Sequence, residues 1–467
     1  MMRWLIISLV SLASIGCQTV TERLSPEVEE AVPQAEGSFR HGNGESSELT
    51  DDWWLQFRDP NLDKLMARLV TANPDVAAAL ARVDQSYALL GITRGPTYPT
   101  VRGNTGLGRR RDSINNLLFP IATPEYNRFS IGLSATWEID LWGRVRSSVK
   151  RDRLRAEKET VNYRHALLSV QASLAQQYFA YRAAKRERDL LERSRDLAAE
   201  ALKMHQARVE VGEGLQADVS QARLDLQNAE TAVEAARRNS GKLLHAIAVL
   251  TGTMPSQLPD LDETAQQMFA VPAGVPSDLL IRRPDLLAAD RELRAAAVQV
   301  GIRKADFLPK ISLVGSGGVA SLQAENLFEA DSGLFDIGPQ VEIPIFQYKL
   351  RKNAVAQAQA QFEEAAANFK SAFLTAVKEV DDALLDSKSY QRELQLQNQA
   401  TASARETASL AKGRFDAGLG NYFDFIAAEQ VHLQASAREF TLAGEYAIAT
   451  VRLIQAMGGS WSDEKRE

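Results

Sequence analysis

Two matching segments, 206 positions apart, dominate the organisation of this chain. The first runs from Arg208 to Asp218 and reads RVEVGEGLQAD, and the second runs from Arg414 to Asp424 and reads RFDAGLGNYFD. Long helical patterns flank both. Glycine reaches positive φ without a Cβ clash, so Gly-x-Gly between two helices suits a tight reversal. Each segment is therefore predicted to form the tip of a helical hairpin, although two ordinary C-cap glycines would give the same motif.

The sequence around the two segments is also duplicated. Matches occur at an offset of 210 before the strands and at 204 to 206 from the second strand of each repeat onward. They include Asn73-Pro74-Asp75 with Arg283-Pro284-Asp285, Gly91-Ile92 with Gly301-Ile302, and Trp137-Glu138-Ile139 with Val341-Glu342-Ile343. A repeat of this length indicates a duplicated half of a domain. We therefore divide the chain into a first repeat (51–252), a joint (253–281), a second repeat (282–458) and a C-terminal tail (459–467).

The first fifty residues have the pattern of a secreted protein. Arg3 precedes an apolar run, 4–13, that is too short to span a bilayer, and small residues follow it. Residues 1–16 are therefore predicted to be a signal peptide. Cys17 after Gly16 resembles a bacterial lipoprotein processing site, which implies a lipidated N-terminus in the outer membrane. A signal cleaved elsewhere is the alternative. Residues 17–50 are predicted to be this N-terminus and an extended tether.

Composition excludes several classes of function. The net charge of −6 argues against a nucleic-acid partner. The five histidines form no metal-like cluster, and Cys17 is the only cysteine, so neither a cysteine-based metal site nor an internal disulfide is expected. No Ser/His/Asp or Cys/His arrangement and no phosphate-binding loop is present in the sequence. We expect no cofactor and no enzymatic activity.

Four segments alternate as β-strands do; the alternation is clear, with one apolar face, in 130–142 and 335–345, and it is weaker in 101–111 and 311–322, which are rich in glycine. The hairpin loops between them are predicted at 113–127 and 323–333. A soluble sandwich would give this pattern too. However, four strands leave open edges, and strands of about 10 residues match a tilted transmembrane β-strand. We expect closure through several chains, with the loops outside the cell.

Helical patterns occupy most of the remaining sequence. Helices are predicted near 74–95 and 284–306, followed after the strands by proline-free helices over 143–211 and 349–416. At 1.5 Å per residue each of the latter is roughly 100 Å long, a length typical of coiled coils. The return helix after 218 has one heptad seam, and the return helix after 424 has two adjacent seams. Two seams let one helix contact a neighbour on each side, as in a closed ring of helices.

This ordered, duplicated set of features resembles the TolC-type outer-membrane factor family, in its lipoprotein branch of multidrug (resistance-nodulation-division) efflux systems. The resemblance implies a mainly α fold with a small β part. Three chains, with four strands each, would form an outer-membrane β-barrel that continues as a long α-helical barrel, with 253–281 in a belt around it. The implied partners are a homotrimer, a periplasmic adaptor protein, an inner-membrane efflux pump and outer-membrane lipid.

The resemblance also assigns roles at the tips, which would be the periplasmic closing end. Asp424 aligns with an aspartate of the family's acidic ring, whereas the second acidic position of that ring is Ala427 here. Asp218 is its counterpart in the first repeat; capping of the return helices by both aspartates is the alternative. Arg208 and Arg414 would hold the tips closed through weak pairs with acids such as Glu213 or Asp416. Adaptor contacts are expected at the four tip glycines, Gly212, Gly214, Gly418 and Gly420.

The function that follows from the resemblance is a gated tunnel that carries drugs or other toxic small molecules from the periplasmic adaptor and pump to the outside. Two alternatives stay open at this point. One is the exit duct of a type I protein secretion system. The other is a structural coiled-coil lipoprotein, which would explain the helices but not the paired strands.

Overall fold

The computed structural model describes residues 19–28, 39–41, 52–111, 125–258, 261, 269 and 282–459. The fold is mostly helical with one small sheet, as predicted. The helices are α1 (Val20–Arg23), α2 (Pro60–Ala72), α3 (Pro74–Arg94), α4 (Arg144–Glu210), α5 (Gln216–Leu250), α6 (Pro284–Ala305), α7 (Tyr348–Asp416) and α8 (Tyr422–Ala456). The strands are β1 (Thr100–Arg111), β2 (Glu125–Glu138), β3 (Lys310–Ser321) and β4 (Gly333–Glu342).

All four strands belong to a single antiparallel sheet in the order β1-β2-β3-β4. The four predicted strands are therefore confirmed, although β2 begins five residues earlier than predicted and ends four residues earlier. The early end has a local cause. The Asp140 carboxylate accepts hydrogen bonds from the backbone N–H groups of Val145 and Arg146, both at 2.9 Å, and so caps the start of α4.

The apolar face of the sheet is uncovered. Leu133, Phe335 and Ile337 on this face are 62%, 85% and 70% exposed, and the opposite face carries polar residues such as Arg102, Ser134 and Gln340. Within the described ranges all strands lie in one sheet, so the soluble sandwich does not form there. A broad apolar surface that faces away from protein is typical of a surface that contacts lipid or another chain.

The long helices are confirmed almost to the residue. Helices α4 and α7 contain 67 and 69 residues without interruption. The predicted seam of α5, whose ten positions run from Val219 to Leu250 in alternating steps of three and four residues, is buried or half-buried throughout, with Val219, Val233 and Ile247 among the buried residues. Both seams of α8 are likewise buried or half-buried throughout. None of the helices in the described ranges combines the length and apolar character needed to cross a bilayer.

The chain divides into two compact units, and four helices, α3, α4, α6 and α7, contribute residues to both. Unit 1 comprises 1–32, 82–159 and 288–370 and includes the sheet. In this unit the buried Thr21 of α1 binds the carbonyl oxygen of Trp142 through its N–H (3.1 Å) and its hydroxyl (2.8 Å). A Cβ on Gly301 would lie 2.4 Å from the Thr21 carbonyl oxygen, so only glycine allows α1 to pack this closely.

Unit 2 comprises 33–81, 160–287 and 371–467 and includes both helix tips. Its core contains the 3₁₀ turn Trp53–Phe57, in which both end residues are almost fully buried. The buried Asp59 caps α2 and also binds the Tyr178 hydroxyl (2.8 Å) and Arg182 (2.6 Å). This charged contact fixes the start of α2 against α4, because a buried carboxylate requires a partner. The predicted lipidation residue Cys17, most of the joint 253–281 and nearly all of the tail lie outside the described residues.

Candidate functional site at the helix tips

The first tip, 211–215, is a Schellman turn. Gly212 has φ +79°, and the N–H groups of Gly212 and Glu213 donate to the carbonyl oxygens of Val209 (3.0 Å) and Arg208 (2.8 Å). Gly214 has a different role. A Cβ there would lie 3.0 Å from the Cβ of Arg208, so Gly214 allows the chain to fold back against the end of α4. The predicted hairpin is confirmed, with left-handed backbone at the first glycine only.

The second tip, 417–421, repeats this geometry. Gly418 has φ +71°, and the N–H of Leu419 donates to the carbonyl oxygen of Arg414 at 2.8 Å. A Cβ on Gly420 would lie 3.1 Å from the Cβ of Arg414. The tips differ at the start of the return helix. The Asn421 side chain accepts from the Phe423 N–H at 3.1 Å, whereas Leu215 provides no side-chain cap.

Neither aspartate of the motif is an N-cap, so the capping alternative is wrong. Leu215 and Asn421 hold the N-cap positions, and Asp218 and Asp424 are the third residues of α5 and α8. Both are exposed. A carboxylate in the first turn still gains from the positive end of the helix dipole, by about 0.3–1 kcal/mol. Each aspartate therefore interacts favourably with the start of its helix, and its side chain remains accessible to solvent.

The expected ion pairs of the two arginines do not form within the described part of the chain. Arg208 donates to the backbone oxygen of Glu213 at 3.4 Å instead of its carboxylate, and its guanidinium lies 5.7 Å from the centre of the Phe423 ring. No ion pair there joins Arg414 to Asp416. At Arg208 the Glu213 carbonyl is within reach because the tight turn brings residue 213 back beside the end of α4, where its N–H donates to the Arg208 carbonyl.

Two further contacts between the tip regions involve residues that were not predicted as site residues from the sequence. The rings of His205 in α4 and Phe423 in α8 stack with centroids 4.2 Å apart, and the Tyr422 hydroxyl donates to Glu200 at 2.7 Å. This hydrogen bond, together with partial burial, raises the pKa of the Tyr422 hydroxyl. The available signal was the aromatic run in NYFDF, directly after the second tip.

A groove beside this contact brings several of the predicted residues together. It lies among α4, α5 and α8, and its lining includes His205, Asp218, Asp225, Phe423 and Ala427. Ala427 thus occupies the surface where the resemblance led us to look for a second acid. In the described ranges, no group of three or more His, Cys, Asp or Glu side chains is arranged to hold a metal ion.

Exposed apolar side chains surround the tips. Val211, Leu215 and Leu419 are 71%, 68% and 75% exposed, although all three are large and aliphatic. Together with the glycines they give each tip a largely nonpolar end. Such an end suits contact with another protein.

Comparison with known proteins supplies the family. A model described as "Outer membrane efflux protein" matches residues 65–253 and again 275–459. The Pseudomonas putida solvent efflux pump outer membrane protein SrpC is 30% identical over 87% of this chain and 87% of its own length. The P. putida toluene efflux pump outer membrane protein TtgF is 29% identical over 97% of this chain and 96% of its own.

The same fold is present in a solved structure. The Campylobacter jejuni CmeC outer membrane channel aligns with a TM-score of 0.85 at 26% identity, over 95% of this chain and 96% of CmeC. Most of the chain, in both repeats, is therefore accounted for by one family and one fold. This chain belongs to the outer membrane efflux protein family.

Proposed function

We propose that the chain is the outer-membrane channel component of a tripartite efflux system, in which it provides a gated tunnel from the periplasm to the outside. The observation that supports this most directly is the sheet. It combines an uncovered apolar face with two unpaired edges, β1 and β4. A single chain cannot close such a sheet in a bilayer, because every backbone polar group there needs a partner. Closure by identical copies, three in the proposed assembly, would satisfy both edges.

The tips are the proposed periplasmic entrance. Asp424 and Asp218 would place negative charge at the entrance, Arg414 and Arg208 would help to hold it closed, and the contact of Tyr422 with Glu200 would keep the tip regions together. Because such exposed contacts are individually weak, a partner protein could open them. Gly212, Gly214, Gly418 and Gly420 would form the surface for a periplasmic adaptor, which connects the channel to an inner-membrane pump.

Toxic small molecules are the proposed cargo. The names of the relatives refer to toluene and other solvents, and we carry that substrate class to this chain. Cys17 would be the lipid-anchored N-terminus in the outer membrane. The division into signal peptide, tether, two repeats, joint and tail remains part of the same proposal. The protein-secretion duct is the second candidate, but no relative named above is described as one.

Two measurements test this function. The mature protein, purified in detergent and added to planar lipid bilayers, should form oligomers and stepwise ion-conducting channels. Deletion of the gene should make cells more sensitive to organic solvents or drugs, and the intact gene should restore resistance. A protein that stays a water-soluble single chain without conductance contradicts the proposal. A deletion strain that loses only the export of a polypeptide favours the secretion duct.

A further inference from the structure

Charged side chains on the apolar face of the sheet are confined to one end of the first hairpin. Residues opposite each other in an antiparallel pair share a face, and successive residues of a strand alternate between faces. The unbroken register of β1 with β2 therefore places Arg109 and Arg111 on the same face as Leu107 and Leu133. Glu125, opposite Arg111, is the third charged residue of this face, and no other strand position on it is charged.

The length of the apolar part explains the level at which the charges begin. Along β2 this face is nonpolar from Trp137 to Phe129 and polar at the next two positions, Asn127 and Glu125. The distance from Trp137 to Phe129 is roughly 27 Å along the strand, at about 3.4 Å per residue. A strand tilt of about 40° turns this into about 21 Å of depth, comparable with the ~25 Å apolar band of outer-membrane barrels. Arg109, opposite Asn127, therefore lies just beyond this band, at the level of lipid headgroups.

The connections of the hairpin indicate the leaflet. The other ends of β1 and β2, at Thr100 and Glu138, lead to α3 and α4, and α4 ends at the first tip. In the proposed orientation the tips are periplasmic, so the end with the arginines is at the outer surface. The lipid of that leaflet is a glycolipid, lipopolysaccharide, whose headgroup carries phosphates.

We propose that Arg109 and Arg111 bind a phosphate group of lipopolysaccharide in the outer leaflet. The inference rests on the function proposed above, which puts this sheet in the outer membrane. It adds a lipid-binding site, the two residues that form it and the chemical group that they recognise.

The geometry of the two arginines suits an anion. Arg109 Nη2 lies 3.1 Å from Glu125 Oε2, and Arg111 Nη1 lies 3.2 Å from Glu125 Oε1, so one carboxylate holds both guanidinium groups. The arginine side chains remain 74% and 70% exposed. A guanidinium has five N–H donors in a planar fork that matches phosphate oxygens. The single contact that each makes with Glu125 leaves donors for a phosphate.

The charge of this end also suits an anion. Two arginines and one glutamate leave a net charge of +1 beyond the apolar band. In the described ranges neither arginine forms an ion pair with any acid other than Glu125. Juxtamembrane arginines are attracted to anionic headgroups. The turn of the second hairpin, 322–332, contains three acids and no basic residue, so it would repel a phosphate, and the proposed site is restricted to the first hairpin.

Arg128 provides a matched control within the same hairpin. It is exposed and lies opposite Gly108, which is next to Arg109 in β1 but on the polar face of the sheet. Its charge is therefore at the same level as the proposed site and on the side that faces away from lipid. A general effect of positive charge should involve Arg128 as much as Arg109, whereas a lipid site should not.

Lipid binding to the full-length oligomer in detergent tests the site, with native mass spectrometry as the measurement. The probes are diphosphoryl lipid A, which is the membrane anchor of lipopolysaccharide, and the same lipid A with its phosphates removed. Arg109→Gln combined with Arg111→Gln should weaken the binding of diphosphoryl lipid A roughly 25-fold, about a factor of five for each arginine. Binding of the dephosphorylated lipid should not change. Arg128→Gln should bind both lipids as the unmodified protein does.

Planar-bilayer conductance of the double variant shows whether it still folds and assembles. A conducting double variant that binds diphosphoryl lipid A as tightly as the unmodified protein overturns this inference and indicates that the arginines serve the acids of the second hairpin instead. An equal loss in Arg128→Gln overturns it in favour of general charge, and displacement of lipid A by an equal concentration of inorganic phosphate overturns the assignment to lipid. Each of these results leaves the proposed function intact. An unmodified protein that is a non-conducting single chain overturns both.

Discussion

Arg283 donates from its guanidinium to the carbonyl oxygen of Ala456 at 2.8 Å, and so joins the residue before α6 to the last residue of α8. The first repeat contains the same relationship. There the Asn73 side-chain amide, before α3, donates to the carbonyl oxygen of Leu250 at the end of α5, at 2.9 Å. A C-terminal helix carbonyl has no partner within its own helix. Each repeat thus uses one side chain to satisfy it and to connect its first and last long helices.

In the second repeat this connection also includes ion pairs. Arg283 is buried and also binds Asp285 (2.6 Å) and Glu379 (2.8 Å). Arg283→Met should therefore lower the free energy of unfolding by about 2–3 kcal/mol, because it leaves the half-buried Asp285 carboxylate and the buried Ala456 carbonyl without their donor. Asn73→Ala, which removes an uncharged donor, should cost about 1–2 kcal/mol. Thermal unfolding in detergent measures both, and equal losses would contradict the importance of the charge.

The same cluster predicts a dependence of stability on pH. Burial alone would raise the pKa of Asp285, but the hydrogen bond and charge of Arg283 outweigh it and hold the pKa below the ordinary value of 3.8. A carboxyl whose pKa is lowered by folding stabilises the protein above its unfolded pKa. This contribution is lost as the pH falls through the folded pKa. The unfolding midpoint of the unmodified protein should therefore drop below about pH 4.

In Arg283→Met the sign of this contribution should reverse. Without the cation, burial would dominate and raise the pKa of Asp285, so that acidification from pH 6 towards 4 would now favour the folded state. Adding Asp285→Asn to Arg283→Met should remove the dependence, since the titrating group is gone. Parallel pH profiles for all three proteins would contradict the assignment to Asp285.

Much of the fold followed from the sequence because its signals are periodic and occur twice. The helices around Gly212 and Gly418 were predictable because proline is absent over long stretches and two glycines interrupt the pattern at matching places. The end of β2 was not predictable, because the alternation of apolar and polar residues continues through residues 139–141 although Asp140 caps α4. The hydrogen bonds of Asp140 to the start of α4 end the strand, although the two-residue alternation alone would extend it.

The site was less predictable, because its contacts join helices that are far apart in the sequence. Asp424 was selected from the resemblance and Asp218 from the repeat, but their position as third residues depends on where each helix begins, which shifts by one or two residues with the cap. The stacking of His205 on Phe423 joins positions 218 residues apart. Neither residue has an identical counterpart in the other repeat, so the comparison of the repeats gave no reason to select them.

Alanine substitutions at two glycines near the second tip should distinguish the cost of backbone strain from the cost of a steric clash. A Cβ would meet no atom within 4 Å at either Gly413, which is inside α7, or Gly418, which has φ +71°. Gly413→Ala should stabilise the protein by about 0.5–1 kcal/mol, since alanine is the better helix former. Gly418→Ala should destabilise it by about 1–2 kcal/mol. The two shifts in unfolding midpoint should have opposite signs, and shifts of the same sign would contradict the Schellman geometry.

Asp424 should set the ion selectivity of the proposed entrance. Asp424→Asn removes one negative charge per chain with little change of shape, so the preference for cations, measured from reversal potentials in a salt gradient, should fall. Ala427→Asp adds an acid one helical turn further along and should raise it. The control Asp416→Asn changes an exposed acid at the end of α7. If Asp416→Asn alters selectivity as strongly as Asp424→Asn, net charge and not position is responsible.

The hydrogen bond from Tyr422 to Glu200 should help to keep the entrance closed. Tyr422→Phe removes only the hydroxyl that donates at 2.7 Å, and because the contact is exposed the loss should be about 0.5–1.5 kcal/mol. That corresponds to a roughly two- to tenfold increase in the open fraction of single channels, since each 1.4 kcal/mol is a factor of ten. Tyr98→Phe, at an exposed tyrosine before β1, is the matched control and should leave the open fraction unchanged. Glu200→Gln keeps an acceptor for the hydroxyl and should have a smaller effect than Tyr422→Phe. Equal open fractions in Tyr422→Phe and the unmodified protein would exclude this contact from gating.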